Sequence, residues 1–124
     1  MTTGPLRWAV VVVGLDPAEG HEQAGKRRVL VVSYEPFHRS GLMTVCPITA
    51  ARAEPRYHGE VAIPAGEAGQ TKPGVIMCGQ VRTVTQQRVR GQPLGIVSTR
   101  ETRRQVRRAL AHHLGLDIPA VVDT

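Results

Sequence analysis

The segment between the first two predicted strands holds an unusual concentration of reactive side chains. It combines a carboxylate, an imidazole and three cations with two glycines, and it reads Gly20-His21-Glu22-Gln23-Ala24-Gly25-Lys26-Arg27-Arg28. Leu15 to Lys26 shows no apolar periodicity, which predicts a long polar loop. Loops of this length in compact domains are often functional. This density of functional groups therefore predicts more than a connection.

A second candidate is the hydroxyl of Thr49. An apolar run, Val45-Cys46-Pro47-Ile48, ends on this threonine and is followed by an irregular segment. Rigid strands often present reactive groups at their ends. Taken alone, Thr49 is better explained as a strand-end hydroxyl that bonds to nearby backbone.

Motifs for several common enzyme classes are absent. The sequence contains no phosphate-binding loop, dinucleotide fingerprint, zinc-protease helix, hydrolase elbow or Cys-x-x-Cys pair. The two cysteines, Cys46 and Cys78, stand in apolar runs and are predicted to be buried reduced thiols, with neither a disulfide nor a metal. We expect no cofactor.

Composition predicts one basic globular domain of 124 residues, with a core at about 6–115 and a loose tail at 117–124. No apolar stretch approaches the roughly 20 residues that span a bilayer, and the start does not resemble a signal peptide, so we expect a cytoplasmic protein. The net charge of +6 favours a polyanionic or acidic partner. Half of the 16 basic residues lie between Arg82 and Arg108, where Glu101 is the only acid.

Hydrophobic patterning predicts a mainly β fold. Short β-branched or alternating runs separated by turn residues indicate five or six strands in a small, strongly curved antiparallel barrel. The second and third strands are expected to be neighbours. The predicted strands are Leu6–Gly14, Arg28–Tyr34, Leu42–Ile48, Glu60–Ile63 and Val75–Gln80, and the last of them has an alternative form that continues through 81–84.

A C-terminal helix is predicted to pack on this sheet. Ser98 and Glu101 have capping-box spacing, in which Ser98 caps the helix and Glu101 reaches back to the backbone. The apolar face consists of Val106, Leu110 and Leu114, and Gly115 is placed to end the helix.

Five short motifs, in the same order, resemble the MazF/PemK family of toxin endoribonucleases over roughly residues 8–115. They are 15–17 (Leu-Asp-Pro), 20–27 (Gly-His-Glu-Gln-Ala-Gly-Lys-Arg), 45–49 (Val-Cys-Pro-Ile-Thr), 59–61 (Gly-Glu-Val) and 80–83 (Gln-Val-Arg-Thr). The resemblance implies an SH3-like barrel that forms a homodimer, cuts single-stranded RNA and is neutralised by a cognate antitoxin. Trp8 departs from the family pattern, which commonly has glycine there.

Carried over by position, the resemblance assigns catalytic roles to Arg27 and Thr49 and an activity-linked role to Glu22. Metal-free RNA cleavage needs the 2′-hydroxyl deprotonated, the pentavalent phosphate stabilised and the 5′-oxygen protonated. Arg27 can hold the phosphate through paired hydrogen bonds, and Thr49 can donate to it. The proton carriers stay open, because arginine is a poor base; Glu22 serves either catalysis or loop structure.

Further residues are predicted to contact RNA. Gln80, Arg82 and Thr83 match a motif near the family's dimer groove, and the loop after Thr49 offers an aromatic ring beside cations. His21 is chemically a possible proton carrier, although an exposed loop histidine is more often incidental, and Tyr57 could instead cover an edge of the sheet. The complete predicted set is His21, Gln23, Lys26, Arg28, Arg52, Arg56, Tyr57, His58, Gln80, Arg82 and Thr83.

Two other functions compete with an RNA-cleaving enzyme. One is a non-enzymatic toxin of the same fold that binds a protein such as DNA gyrase. The other is a module that binds RNA without cutting it, which the +6 charge would also favour. The helix arginines fit a solvated face or a contact with an acidic antitoxin.

Overall fold

The computed structural model describes residues 4–15 and 25–123 of the chain. These residues form a mainly β fold with one C-terminal α-helix, as the sequence predicts. The strands are β1 (Ala9–Leu15), β2 (Gly25–Val31), β3 (Leu42–Thr49), β4 (Glu60–Ile63), β5 (Gly74–Met77), β6 (Arg82–Thr85) and β7 (Val89–Ile96), followed by helix α1 (Arg100–His113).

All strand pairings are antiparallel. The strand order is β4-β5-β3-β2-β1-β7, with β6 pairing with the other half of β3. Pairing of β2 with β3 confirms the predicted neighbours. Within the described residues this order has two ends, so the sheet is not closed and the word barrel applies only loosely.

Alternation of side chains along the strands divides the core into two clusters. Val10, Leu30 and Cys46 lie on the face that packs against α1, where the helix contributes Val106. Val29 lies on the opposite face, in a second cluster. Because successive strand residues point to opposite faces, neighbouring residues of β2 serve different sides of the sheet.

The observed strands differ from the predicted ones in several bounds and in number: β1 begins at Ala9 instead of Leu6, and β2 ends at Val31 instead of Tyr34. β2 begins at Gly25 instead of Arg28, since its pairing with β1 continues to the Leu15↔Gly25 pair. The predicted fifth strand stops at Met77, and a 3-10 turn over Cys78–Gln80 precedes β6. The sequence does not predict β7, because its glycines and Pro93 resemble a loop. Among the described strands β7 pairs with β1 alone, and an edge strand of this kind tolerates proline.

The start of α1 differs from the predicted capping box. The N-cap is Thr99, without a side-chain capping bond, and Glu101 pairs with Arg104 instead of the backbone. Oε1 of Glu67, about 30 residues upstream, accepts the backbone N–H groups of Ser98 at 3.2 Å and Thr99 at 3.1 Å. A distant carboxylate therefore replaces the local cap, which short-range spacing could not reveal.

The apolar face of α1 is only partly as predicted. Val106 is buried and Leu110 half-buried, but Leu114 is 61% exposed because the helix ends there. Gly115 adopts a left-handed conformation (φ 71°) just after the helix, which confirms its predicted role. No helix among the described residues is long and apolar enough to cross a membrane.

Cys46 and Cys78 are buried free thiols, as predicted from their apolar surroundings. A hydrogen bond between the two side chains, together with burial, raises the pKa of the Cys46 thiol. The protonated form is a weak nucleophile, so these residues serve the core.

We predict that the Glu67 carboxylate, and not Ser98, stabilises the start of α1. Glu67→Ala should lower the free energy of unfolding by about 1 kcal/mol, the usual cost of losing a helix cap. Ser98→Ala is the matched control and should change it by less than about 0.5 kcal/mol, as surface substitutions usually do. Urea unfolding of both variants measures the effect, and a larger loss in Ser98→Ala would restore the capping box.

Candidate active site

Arg27 and Thr49 lie at the same end of adjacent strands. Pairing between β2 and β3 runs from Val31↔Val45 to Val29↔Pro47. Arg27 and Thr49 each stand two residues beyond that last pair, and two-residue periodicity assigns both to one face of the sheet. This face is the one opposite α1. Arg82 on β6 pairs with Val45 and so belongs to it as well.

The guanidinium of Arg27 is poised for an anion. The residue is half-buried and pairs with Val13 of β1 through the backbone. Its Nε is buried and has no hydrogen-bond partner among the described residues. Buried N–H groups are nearly always bonded in native proteins, so this N–H is available to an acceptor outside the described residues. Arginine N–H groups favour phosphate or carboxylate oxygens for this role.

Thr49 is held in place from two sides. Its Oγ1 accepts the backbone N–H of Ala51 at 3.2 Å, which leaves the hydroxyl proton free for a further acceptor. Its backbone pairs with Val75 of β5. A Cβ atom at Gly74 would lie 2.5 Å from the carbonyl oxygen of Thr49. Glycine at position 74 therefore allows the close strand approach that positions Thr49.

Glu60 organises the loop that follows Thr49. Its carboxylate forms a two-pronged ion pair with Arg52, with Arg52 Nη1 at 2.7 Å from Oε1 and Nη2 bonded to Oε2. The same Oε1 accepts the backbone N–H groups of Arg56 at 2.8 Å and Tyr57 at 3.2 Å. Hydrogen bonding from Arg52, foremost, lowers the pKa of Glu60 to about 2. Glu60 lies in the family motif at 59–61, but the sequence predicts no role for it, because its partners are spread over the preceding loop.

The predicted RNA contacts of this loop differ in their availability. Arg52 is occupied by Glu60, and its guanidinium carbon lies 5.9 Å from the ring centre of Tyr57. Tyr57 is 70% exposed and does not cover a sheet edge. The ring of His58 packs against His112 of α1, with 4.0 Å between centroids. Tyr57 and Arg56 are both exposed, and Tyr57 keeps most of its ring accessible beside Arg52.

Gln80, Arg82 and Thr83 stay close to β3. Gln80 is exposed, with Nε2 3.6 Å from the sulfur of Met77. The hydroxyls of Thr83 and Thr44 are 2.8 Å apart across the β3–β6 pair. Arg82 is exposed and shares the Arg27 face, so this motif contributes one cation to the site.

Arg28 and Lys26 point to the other face of β2. The Arg28 guanidinium donates to the side-chain oxygen of the buried Gln70. On the neighbouring strand pair, Arg90 of β7 lies against Gly14, where a Cβ would meet its Nη2 at 3.0 Å. Arg90 is not among the residues predicted from the sequence; Gly14, a glycine within a β-branched strand, is the local signal of such a close approach. His21, Glu22 and Gln23 lie outside the described residues.

The protein is basic and mainly β. Its candidate site places the Arg27 guanidinium, whose Nε has no partner among the described residues, on the same sheet face as the strand-end hydroxyl of Thr49. Such a site suits phosphate chemistry, because both groups donate hydrogen bonds to anionic oxygens. The family model described as PemK-like, MazF-like toxin of type II toxin-antitoxin systems matches residues 6–114. The chain belongs to this family, which confirms the resemblance read from its motifs.

Individual relatives support the same grouping. The chain is 42% identical over 77 residues to the endoribonuclease toxin ChpB of Escherichia coli K12. The match covers 61% of this chain and 66% of ChpB, which is just under two thirds of that relative. A MazE–MazF crystal structure from Deinococcus radiodurans matches with a TM-score of 0.73 and 32% identity over 91% of this chain and 97% of that one. An endoribonuclease in complex with its cognate antitoxin, from a mycobacterial species, gives a TM-score of 0.72 at 25% identity, with 94% and 100% covered.

We predict that Gly74→Ala disturbs Thr49. The added methyl group would overlap the Thr49 carbonyl, and overpacking of this kind costs about 1–3 kcal/mol. Gly79→Ala is the control, since nothing lies within 4 Å of its Cβ position. It should be neutral or slightly stabilising. Thermal unfolding compares the two variants, and equal stability would contradict the close approach.

The ion pair of Glu60 predicts a pH-dependent stability. Folding lowers the pKa of Glu60 from 4.5 to about 2, so its stabilising contribution is complete above about pH 4.5 and is lost as the pH falls towards 2. The unfolding free-energy difference between wild type and Glu60→Gln should be constant above about pH 5 and shrink below it. Glu54→Gln makes the same charge change in the same loop and is the matched control; an identical pH trend in both variants would contradict the assignment of the effect to the Glu60–Arg52 pair.

Proposed function

We propose that this protein is the toxin of a toxin-antitoxin pair and acts as a metal-independent endoribonuclease on single-stranded RNA. One observation carries the proposal within the family fold. The buried Nε of Arg27 has no partner among the described residues and lies on the same sheet face as the Thr49 hydroxyl. An RNA phosphate supplies the anionic oxygens that both groups lack.

The proposed reaction is an internal transesterification. The 2′-oxygen attacks the adjacent phosphorus, its proton leaves to a base, and the bond to the 5′-oxygen breaks as that oxygen receives a proton. The products are a 2′,3′-cyclic phosphate and a 5′-hydroxyl end. Arg27 and Thr49 donate hydrogen bonds to the pentavalent phosphate, whose charge exceeds that of the ground state. Arg82 on the same face attracts the RNA backbone.

Glu22 completes the proposed catalytic set. A carboxylate within the polar segment can take the 2′-hydroxyl proton, or it can pair with a neighbouring cation and orient Arg27. Glu22→Gln distinguishes these roles by its pH–rate profile. Loss of one limb of the profile identifies a proton acceptor, whereas a uniform drop in rate at all pH values identifies an orienting residue.

The remaining proposed contacts divide by exposure. Arg56, Tyr57 and Gln80 are exposed and suited to flanking nucleotides, as are Lys26 and Thr83 at the strand surfaces. Arg28, Arg52 and His58 already have partners in Gln70, Glu60 and His112, so RNA would have to compete for them. His21 and Gln23 remain predicted contacts from the polar segment.

The proposal extends to partners and location. We propose a homodimer of single-domain chains that resides in the cytoplasm and is inhibited by a cognate antitoxin. The antitoxin-bound structure among the similar proteins supports the last point. The basic surface of the chain suits an acidic inhibitor segment that competes with RNA.

Cleavage of a long mixed-sequence single-stranded RNA in EDTA tests the proposed reaction. Wild type should cut at discrete sites and leave 2′,3′-cyclic phosphate and 5′-hydroxyl ends. Arg27→Ala and Thr49→Ala should each reduce the rate by about 10²–10³-fold, as loss of one transition-state donor does. Arg39→Ala and Thr71→Ala change the same residue types at exposed positions and should keep full activity.

The outcomes of this assay separate the competing functions. No cleavage by wild type, together with salt-dependent RNA binding, would indicate the binding-only module. Absence of both, with toxicity retained in cells, would indicate a protein target such as DNA gyrase. Equal cleavage by all variants would remove Arg27 and Thr49 from the mechanism.

A further inference from the structure

A cluster of stacked cations and aromatic rings lies at the other end of β1 and β2 from Arg27. The guanidinium carbon of Arg7 is 5.2 Å from the ring centre of Trp8 and 5.9 Å from that of Tyr34. The guanidinium carbon of Arg103, on α1, is 5.3 Å from the Trp8 ring. We call these four side chains the arginine–aromatic cluster. Arg7 and Trp8 lie just before β1, Tyr34 lies shortly after β2, and Arg103 lies in the first turn of α1.

The cluster carries positive charge that is not neutralised locally. Nε of Arg7 is buried and has no partner within the described part of the chain. The nearby Glu35 carboxylate accepts the backbone N–H groups of Leu6 and Arg7 and contacts His38 at 3.2 Å, and among the described residues it forms no ion pair with the Arg7 guanidinium. Nε of Arg103 donates to the Val97 carbonyl at 2.6 Å, and no described carboxylate pairs with this residue. Two like charges on one indole favour an anionic ligand.

Trp8 holds its position at a conformational cost. Its φ of 72° lies in the left-handed region, which is strained for a bulky residue. Backbone bonds on both sides hold it there: its N–H donates to Val31 and its carbonyl accepts from Val97, each at 2.8 Å. Strain retained by surrounding structure is typical of functional positions. Here it sets the indole between two guanidinium groups.

A row of arginines on α1 extends the cluster. Arg100, Arg103 and Arg107 have i, i+3 and i+7 spacing, so they share one side of the helix over about 10 Å. Arg100 and Arg107 are exposed. Arg104 and Arg108 lie further round the helix, on the side of Glu101, where Arg104 forms an ion pair at 2.8 Å. The row formed by Arg100, Arg103 and Arg107 is continuous with Trp8 through Arg103, whose guanidinium contacts the indole.

We propose that the arginine–aromatic cluster and the Arg100–Arg107 row form a second contact surface for single-stranded RNA. The inference rests on the proposed function, because the RNA is the substrate. Tyr34 is 68% exposed and offers a ring on which a base can stack, with Arg7 on it. The arginines of the Arg100–Arg107 row bind the phosphates of the nucleotides next to the stacked base. An acidic peptide would bind the arginines but would not account for the exposed Tyr34 ring, on which a nucleic-acid base can stack.

The location of this surface predicts that it binds RNA away from the cleaved bond. Four strand residues, or about 13 Å, separate Arg27 from Val31, next to which Trp8 is bonded. The α1 side of the sheet is also the side opposite Arg27. A substrate must therefore extend several nucleotides from the cut to reach Tyr34, which predicts stronger binding of longer strands.

Binding of a fluorescein-labelled 24-nucleotide 2′-O-methyl oligouridylate, which cannot be cleaved through its 2′-oxygen, tests this surface. The row variant is Arg100→Gln with Arg107→Gln, and the matched control is Arg104→Gln with Arg108→Gln, which removes the same charge from the same helix. Losing two phosphate contacts should reduce the slope of log affinity against log salt by about 1.4. A fourfold rise in salt would then weaken wild type by roughly sevenfold more than the row variant.

Tyr34→Ala tests the stacking contact independently and should weaken binding roughly tenfold with little change in the salt slope. Equal salt slopes in the row and control variants would overturn the inference, as would a changed oligomeric state in the row variant alone. It would also be overturned if a polyglutamate peptide, and not RNA, lost affinity in the row variant. Binding of this kind without any cleavage would contradict only the proposed function.

Discussion

The fold depends on the backbone of β3, which bonds to three other strands. Val45 pairs with Val31 of β2 on one side and with Arg82 of β6 on the other. Further along β3, the pairing changes from β2 to β5, and Thr49 pairs with Val75 of β5. A largely buried strand that is paired along its length with three neighbours has little freedom to shift its register. The candidate site inherits this rigidity, because Thr49 ends the strand and its neighbours supply Arg27 and Arg82.

Two carboxylates shape the irregular parts of a chain that has an excess of cations. Glu60 gathers a guanidinium and two backbone N–H groups and so closes the loop after Thr49. Glu67 holds the chain as it enters α1. Both acids are used for structure, and neither neutralises Arg27, Arg7 or Arg103. The positive charge of these three arginines thus remains, and it lies beside backbone that the strand pairs and helix α1 already hold in place.

Strand alternation gives the basic residues separate tasks. Arg27 and Arg28 are adjacent in sequence, yet one lies on the face of Thr49 and the other bonds to Gln70 on the α1 side. The same rule separates the candidate active site from the arginine–aromatic cluster. An RNA strand that binds both surfaces, as we propose, has to pass around the sheet, and the proposal therefore predicts that binding depends on substrate length.

The amino-acid sequence alone determined the family, the mainly β class, the third and fourth strands, the two buried cysteines and the end of α1 at Gly115. These features depend on local patterns, such as β-branched runs and a glycine that favours positive φ. Tertiary structure decided the start of β2, the edge strand β7 and the capping of α1 by Glu67. It also decided that Arg28 and Arg52 are already paired and that Arg7 and Arg103 meet at Trp8. Each of these outcomes depends on a partner far away along the chain, and local periodicity contains no information about such partners.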